Sequence, residues 1–574
     1  MQVPRPEYPR PQLRRERWLN LNGPWEFEYD PGLSGIERGL FQAEKLPKEI
    51  LVPFCPESSL SGLADLDFHP GVWYRRTFTL PASWSGGRIL LHFGAVDHDA
   101  FIWVNGQQAG EHHGGYTPFS FDITNLLHSG ENIIVLHAQD DTRSPWVASG
   151  KQCPEYYSRG CHYTRTTGIW QTVWLEPVPS TYIQGLKLIP LLDQGQVLIE
   201  LTLGGSISQG SISAHASLEG QPMGEIEVPF QGQKLQFMLP LNATILWSPE
   251  HPTLYDLKLE LKANNGSHDL VQSYFGLRSL ALSEKALLLN GAPLFQRLVL
   301  DQGFYPDGIY TAPTDEALRQ DILISQAMGF NGARLHQKVF EPRFLYWADR
   351  LGYLVWGEFP SWGLDVSQPK ALEIFLPQWL EALHRDLNHP ALVGWCPFNE
   401  TQADQDPEVI RTVYRVTKSL DPTRPVIDTS GYQHVETDIY DVHNYTQDVS
   451  TFRNLFAPLA QGGEPFRNRP ELDAPYAGQP YFVSEYGGTW WNPGQKDDKA
   501  WGYGERPKTE AEFLERYRGL TEALLRHPRI CAFCYTQLYD IEQEVNGLYT
   551  YNRQAKFDPA LIRQVNTQKA RIEE

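Results

Sequence analysis

The chain has little of what builds cross-links or metal clusters. Six cysteines in 574 residues (Cys55, Cys153, Cys161, Cys396, Cys531 and Cys534) form no disulfide framework for a protein this size, so the thiols are expected to be reduced. Cys531-Ala532-Phe533-Cys534 has redox spacing, but it alternates with aromatics in a strand-like run and reads as core filling. No H-E-x-x-H and no G-x-S-x-G occurs, which removes the usual zinc-protease and serine-hydrolase arrangements. Positive charge is also short. Lys and Arg number 49 against 69 Asp and Glu, a formal net charge of -20, and no basic run offsets it. Nucleic acid needs a concentrated cationic surface, so it is excluded as the expected partner. No apolar run is long enough to cross a membrane. Met1 to Arg17 carries Pro, Arg and Glu where a leader would be apolar, and the cytoplasm is the expected address.

Aromatic side chains, by contrast, are plentiful: 17 Trp, 27 Tyr and 27 Phe. They suit thick sheet cores, and equally the flat CH-rich faces of sugars. The length calls for two to four domains. Residues 1–180 read as short alternating strands broken by Gly, Pro, Asn and Asp, with Asn105-Gly106 as a hairpin turn between Ala100-Val104 and Gln107-His112, and a jelly-roll sandwich is expected. Residues 181–280 hold further period-2 strands and no useful cysteine pair, which suggests an immunoglobulin-like β-sandwich without its disulfide.

Past residue 281 the period changes. Phe344, Leu345, Ala348 and Leu351 make a helical stripe closed by Gly352; Leu372, Phe375, Trp379, Leu383 and Leu387 make another; Thr509 and Glu512 suit a capping box. Between such helices lie eight short apolar runs: Phe295-Leu300, Gly332-Leu335, Tyr353-Trp356, Leu392-Trp395, Pro425-Ile427, Ile439-Val442, Tyr481-Val483 and Ile530-Tyr535. Residues 281–574 therefore suit a (β/α)8 TIM barrel. An open doubly wound sheet is the alternative, but no Gly-rich phosphate loop follows its first strand.

Polar groups follow these runs in turn: Arg334 and His336, Glu358, Asn399 and Glu400, Asp428, His443 and Tyr445, Glu485 and Tyr486, Gln537 and Asp540. In a barrel such positions converge on one mouth. Two carboxyl groups there can divide glycosidic cleavage, one protonating the departing oxygen and the other meeting the oxocarbenium-like carbon. Asn399 would hold the neighbouring sugar hydroxyl, Tyr445 or Tyr486 the nucleophile, and His336 and His443 further hydroxyls. Each residue also has a structural reading. Glu485 could pair with an arginine, Glu400 could cap a loop, Glu358 could neutralise Arg334, and Gln537 and Asp540 could be ordinary loop caps. No cofactor or metal is called for.

At these residues the chain resembles glycoside hydrolase family 2, the family of β-galactosidases, β-glucuronidases and β-mannosidases. The resemblance is carried by Leu21-Asn22-Gly23-Pro24-Trp25-Glu26-Phe27, Gly168-Ile169-Trp170-Gln171-Thr172-Val173-Trp174-Leu175, Trp247-Ser248-Pro249-Glu250-His251-Pro252 and the two glutamate segments. It implies that Glu400 is the acid/base and Glu485 the nucleophile of a retaining mechanism on a small glycoside. It also implies a homo-oligomer, since the family is often dimeric or tetrameric. β-Glucuronidases of the family carry an Asn-x-Lys element near the last barrel strand for the uronate carboxylate. Here Glu544-Val545-Asn546-Gly547-Leu548-Tyr549-Thr550 has no lysine, and a buried carboxylate without a cation is costly. A neutral exo-β-glycosidase is the resulting expectation, with β-galactosides first, arabinopyranosides and galactofuranosides next, and β-glucuronides and β-mannosides behind. A non-catalytic carbohydrate-binding protein is the alternative of a different class.

Overall fold

The computed structural model describes residues 3–84, 86–492, 494 and 499–574. Its first part is an antiparallel sandwich. A six-stranded sheet runs in the order Lys48–Val52, Gly23–Tyr29, Gly71–Thr79, Glu131–Gln139, Asp99–Val104, Gln107–His113, and faces a four-stranded sheet of Leu19–Asn20, Val173–Val178, Arg88–Phe93 and Phe119–Asp122. Inward residues such as Phe27, Tyr74, Leu91, Phe93, Ile102 and Leu136 fill the space between them. Asn105 and Gly106 both take positive φ, 52° and 77°, the backbone a two-residue hairpin needs.

A second, smaller sandwich begins at Thr181–Leu191. Three strands face four, and alternate residues of Tyr255–Ala263 point into a core that holds Tyr255, Leu257, Leu259 and Leu261. All six cysteines of the chain are free.

The last part is a curled parallel sheet wrapped by helices. Its strands are β1 (Gln296–Asp301), β2 (Gly332–Leu335), β3 (Leu354–Glu358), β4 (Leu392–Cys396), β5 (Phe398–Asn399), β6 (Thr429–Ser430), β7 (Tyr440–Asn444), β8 (Tyr481–Gly487) and β9 (Ile530–Thr536). Seven of them form one sheet in the order β4-β3-β2-β1-β9-β8-β7, and β5 pairs with β6 separately. The helices are α1 (Asp315–Ala327), α2 (Pro342–Leu351), α3 (Ala371–Asp386), α4 (Pro407–Leu420), α5 (Val449–Ala460), α6 (Glu510–Leu525) and α7 (Pro559–Asn566). α2 ends at Gly352 with φ 67°, and α6 starts from Thr509, whose side chain accepts from the Glu512 amide.

The run Pro425-Ile427 is not a full strand. One bridge, Trp395 to Val426, ties it to β4. Pro425 has no N–H to give a ladder. Beyond it the Asp428 carboxylate gathers the amides of Thr429 and Glu436 at 2.8 and 2.9 Å and the His434 ring at 2.7 Å, which turns the chain away. Side chains close the barrel at this point, Ser430 Oγ and the Gly431 amide both donating to Asp441 of β7.

Candidate active site

Glu485 lies near the end of β8. The pairing of β8 with β9 slips between Val483 and Tyr486, so Ser484 and Glu485 form a bulge that re-aims the glutamate into the barrel. Arg334 Nη1 donates to its Oε1 at 3.1 Å, Tyr445 donates to Oε2, and His443 Nε2 stands 3.5 Å from Oε1. Burial pushes this carboxyl upward, but His443 and Arg334 outweigh it and hold Glu485 well below the ordinary carboxylate range.

Arg334 is the hub. It is 1% exposed, and its guanidinium also reaches Glu358 at 2.8 Å, Asn399 Oδ1 at 3.1 Å and the Ser484 carbonyl at 2.8 Å. Glu358 in turn sits 2.9 Å from His336 Nδ1 and accepts from the Gln337 amide. Because Arg334 occupies Asn399 Oδ1, the Asn399 amide N–H groups are the ones left for the pocket.

Glu400 follows β5 and takes φ +46°, a left-handed conformation unusual for glutamate and of the kind found at functional sites. Its amide is fixed to the Ser430 carbonyl at 2.9 Å, and its Oε1 lies 2.7 Å from His443 Nδ1. His443 thus faces both carboxylates, while its Nε2 also meets Ser430 Oγ at 3.0 Å. Burial lowers the imidazole's affinity for a proton, but Glu485 and Glu400 overcome that and raise its pKa above 6.5. One carboxylate oxygen of Glu400, one of Glu485 and a nitrogen of His443 all lie within 4.8 Å of one another.

The structure brings Glu400, Glu485, Arg334, His336, Asn399, His443 and Tyr445 together. Tyr486 is elsewhere: its hydroxyl meets Thr521 Oγ1 at 2.8 Å and its ring packs on Phe533 and Tyr535. The neighbouring position on a strand points the other way, so of the two tyrosines only Tyr445 reaches Glu485. Asp540 is also withdrawn. It pairs with Lys556 at 2.6 Å and accepts from the Gly547 amide. Gln537 stands one layer behind the pocket wall, bonded to Gln302 and Asn546.

Several groups at the pocket come from places the strand ends do not mark. The narrow cavity beside Glu485 is also lined by Lys151, Cys161, Gln302, Trp362, Tyr503 and Glu544. Gln302, Tyr163, Glu544, Asn546 and Gln537 close a ring of hydrogen bonds of 2.5 to 2.9 Å behind it. Tyr503 stacks on Tyr445 with ring centres 3.5 Å apart. Past Glu400 the cavity opens into a wider one of about 540 Å³ that shares Cys161, Trp362, Asn399 and Glu400. Lys151, Cys161 and Tyr163 belong to the long segment 140–167 of the first sandwich. Its length without regular structure was the available signal, because such loops in compact domains tend to be functional. A larger cavity, between the second sandwich and the barrel, is remote from this chemistry.

A parallel β/α barrel that carries two neighbouring carboxylates, Glu485 buried and Glu400 half-buried, at the carboxyl ends of its strands, behind two β-sandwiches, is the frame of a glycosyl hydrolase. Three family models match successive parts of the chain: the sugar binding domain of glycosyl hydrolases family 2 over residues 64–176, a second domain of that family over 181–278, and its TIM barrel domain over 311–562. The chain belongs to glycoside hydrolase family 2. Among curated relatives, a β-glucuronidase from Canis lupus familiaris is 28% identical over 476 residues, covering 74% of this chain and 70% of that protein. A β-galactosidase from Thermoanaerobacter pseudethanolicus is 26% identical over 432 residues, covering 73% of this chain and 56% of that protein. A solved structure of the Ruminococcus gnavus β-glucuronidase in complex with D-glucuronic acid superposes with a TM-score of 0.78 at 18% identity, covering 98% of this chain and 100% of that one.

Proposed function

We propose that the chain hydrolyses terminal β-glycosides with retention, Glu485 acting as nucleophile and Glu400 as acid and then base. The observation that carries this reading is the approach of the two carboxylates to within 4.8 Å. Retaining pairs stand about 5 to 5.5 Å apart, too close for a water between acid and base. Glu485, kept ionised by Arg334 and Tyr445, attacks the anomeric carbon while the bond to the leaving oxygen breaks and Glu400 gives that oxygen its proton. Water then gives a proton to Glu400 and attacks the same carbon, and Glu485 departs. Asn399 is placed to hold the hydroxyl beside the reacting carbon, where a hydrogen bond that strengthens in the transition state lowers the barrier.

β-Glucuronides are the first substrates under this reading. Most of the similar curated relatives are β-glucuronidases, which supports a uronide over the β-galactoside suggested by the missing Asn-x-Lys element. A second reading, a neutral galactose-like sugar, is favoured by the carboxylate of Glu544 in the pocket wall. A panel of nitrophenyl β-glucuronide, galactoside, glucoside, arabinopyranoside and galactofuranoside decides between them, and NMR of the first-formed product reports the anomer. Glu485→Gln is expected to lower kcat at least about a thousandfold. A product of inverted configuration, or full activity in that variant, would sink the mechanism.

A further inference from the structure

We propose that Lys151 binds the carboxylate of a uronic-acid sugar, so that the charge-reading group of the pocket is supplied by the first sandwich and not by the barrel. This rests on the β-glucuronide reading above and names the residue through which it would act.

Lys151 is 6% exposed and lines the narrow cavity together with Glu485 and Glu544. Among the described residues its ammonium has no hydrogen-bond acceptor and no ion-pair partner. It lies 4.0 Å from the centre of the Trp362 ring, a contact that tolerates a cation without replacing an acceptor. Burial works against its charge, while Cys161, Glu544, Glu485 and Glu400 favour it, so its pKa is raised and it stays an ammonium. A buried cation without an acceptor is costly, and a ligand anion relieves that cost.

The other cations near the mouth are committed. Arg334 is held by Glu358 and Glu485. Lys338 donates to the carbonyls of Gly303 and Tyr310 at 2.6 and 2.7 Å. Lys556 is paired with Asp540. Glu544 is oriented by Tyr163 at 2.5 Å and Asn546 at 2.9 Å, and among the described residues no hydrogen bond or ion pair joins it to Lys151. Those donors fix Glu544 as a wall and leave Lys151 free for the ligand.

The backbone that presents Lys151 is fixed on both sides. The amides of Ser149 and Gly150 donate to the Trp362 carbonyl at 2.9 and 3.0 Å, and the Tyr163 amide donates to the Lys151 carbonyl at 2.8 Å. Gln152 donates to Asp97 Oδ2 at 2.7 Å. Gly150 has φ +59°, and a Cβ there would come within 2.6 Å of the Gln337 carbonyl oxygen. The loop can approach the barrel this closely only with glycine at that place. A charged group on such a rigid mount suits discrimination between sugars, which needs position as well as charge.

Nitrophenyl β-D-glucuronide and β-D-glucoside differ only at C6, carboxylate against hydroxymethyl. In the full-length protein, Lys151→Met and Lys151→Gln should each lower kcat/KM for the glucuronide by about 100-fold, the loss expected when one partner of a buried charge pair is removed. The glucuronide-to-glucoside ratio should fall at least about tenfold, with Lys151→Arg recovering part of it. Competitive inhibition by D-glucuronate should weaken more than inhibition by D-glucose, a binding readout independent of turnover. Thermal unfolding verifies the variants. An unchanged ratio in variants of a wild type that hydrolyses the glucuronide overturns the assignment to Lys151 alone. A wild type that turns over neutral glycosides and no glucuronide overturns the uronide reading and this assignment with it.

Discussion

Glu485 and Glu400 have the same side chain, both meet His443, and differ in their further partners. Glu485 is surrounded by donors, Arg334, Tyr445 and His443, and stays ionised deep into the acid range. It therefore does not set the acid limb of activity. His443 Nδ1 faces Glu400 Oε1 across 2.7 Å, so under the proposed mechanism the proton held on His443 is the one Glu400 draws on. That proton is lost as pH rises through the raised pKa of His443, above 6.5, and this places the basic limb. In His443→Gln, which cannot hold it, the basic limb of kcat/KM should move to lower pH and kcat should fall about 10- to 100-fold. A limb that stays in place would remove His443 from the proton balance. At this scale the sequence was partly legible. Acids and amides after apolar runs are visible in the order of residues, so Glu400, Glu485 and Asn399 could be marked. Which of Tyr445 and Tyr486 reaches Glu485 could not, because one residue of register reverses a side chain's direction. The bridging place of His443 depends on two strands at once.

Among the elements, those signalled by local chemistry were the legible ones. α2 could be placed from its stripe and its glycine, and the hairpin from Asn105-Gly106. The fifth barrel position is shorter than its run suggests, one bridge at Val426 and a two-residue pairing at Thr429–Ser430, since the side-chain bonds of Asp428 that fix the turn after it are made to residues six to eight positions on. Gly352 serves more than its helix. A Cβ there would meet the Pro249 carbonyl oxygen at 2.2 Å, in a left-handed backbone, and Trp247 in the same segment donates its indole N–H to the Asp349 carbonyl of α2 at 2.8 Å. Gly352→Ala is thus expected to cost about 1 to 3 kcal/mol from strain and overpacking. Denaturant unfolding would measure this, and kcat should stay within about twofold, because the change is far from the carboxylates.

Across the whole molecule, hydrogen bonds and ion pairs connect all three parts. Arg15, in the leading segment, pairs with Asp269 of the second sandwich at 2.8 Å and Glu176 of the first at 3.2 Å. Between the first sandwich and segment 140–167, Glu57 is buried with Oε1 unpartnered while its Oε2 accepts from the Thr167 amide at 3.2 Å. Burial raises its pKa from 4.5 to about 7. The folded state then binds the Glu57 proton over a window in which the unfolded chain has released it. This contribution to stability is complete below pH 4.5 and is lost as pH rises to about 7. In Glu57→Gln the fall in melting temperature between pH 5 and 7 should be shallower than in the wild type. An equal or steeper fall would mean that other groups dominate. The order of two sandwiches and a barrel could be read from the change of period along the chain. The sugar could not, because the pocket is completed by a loop far away in sequence, whose approach only the folded chain reveals.

The glycine-mounted loop that carries Lys151 has a consequence for how such an enzyme can change its diet. Under the proposals above, its bond-breaking groups sit on the barrel while Lys151, the group proposed to read the sugar's charge, sits on a separate, sequence-contiguous insert. Grafting another insert between the flanking strands Glu131–Gln139 and Gly168–Ile169 would exchange the taste of the pocket while the carboxylates stay where they are. Descendants of one scaffold could diverge in substrate by this route without passing through an inactive ancestor.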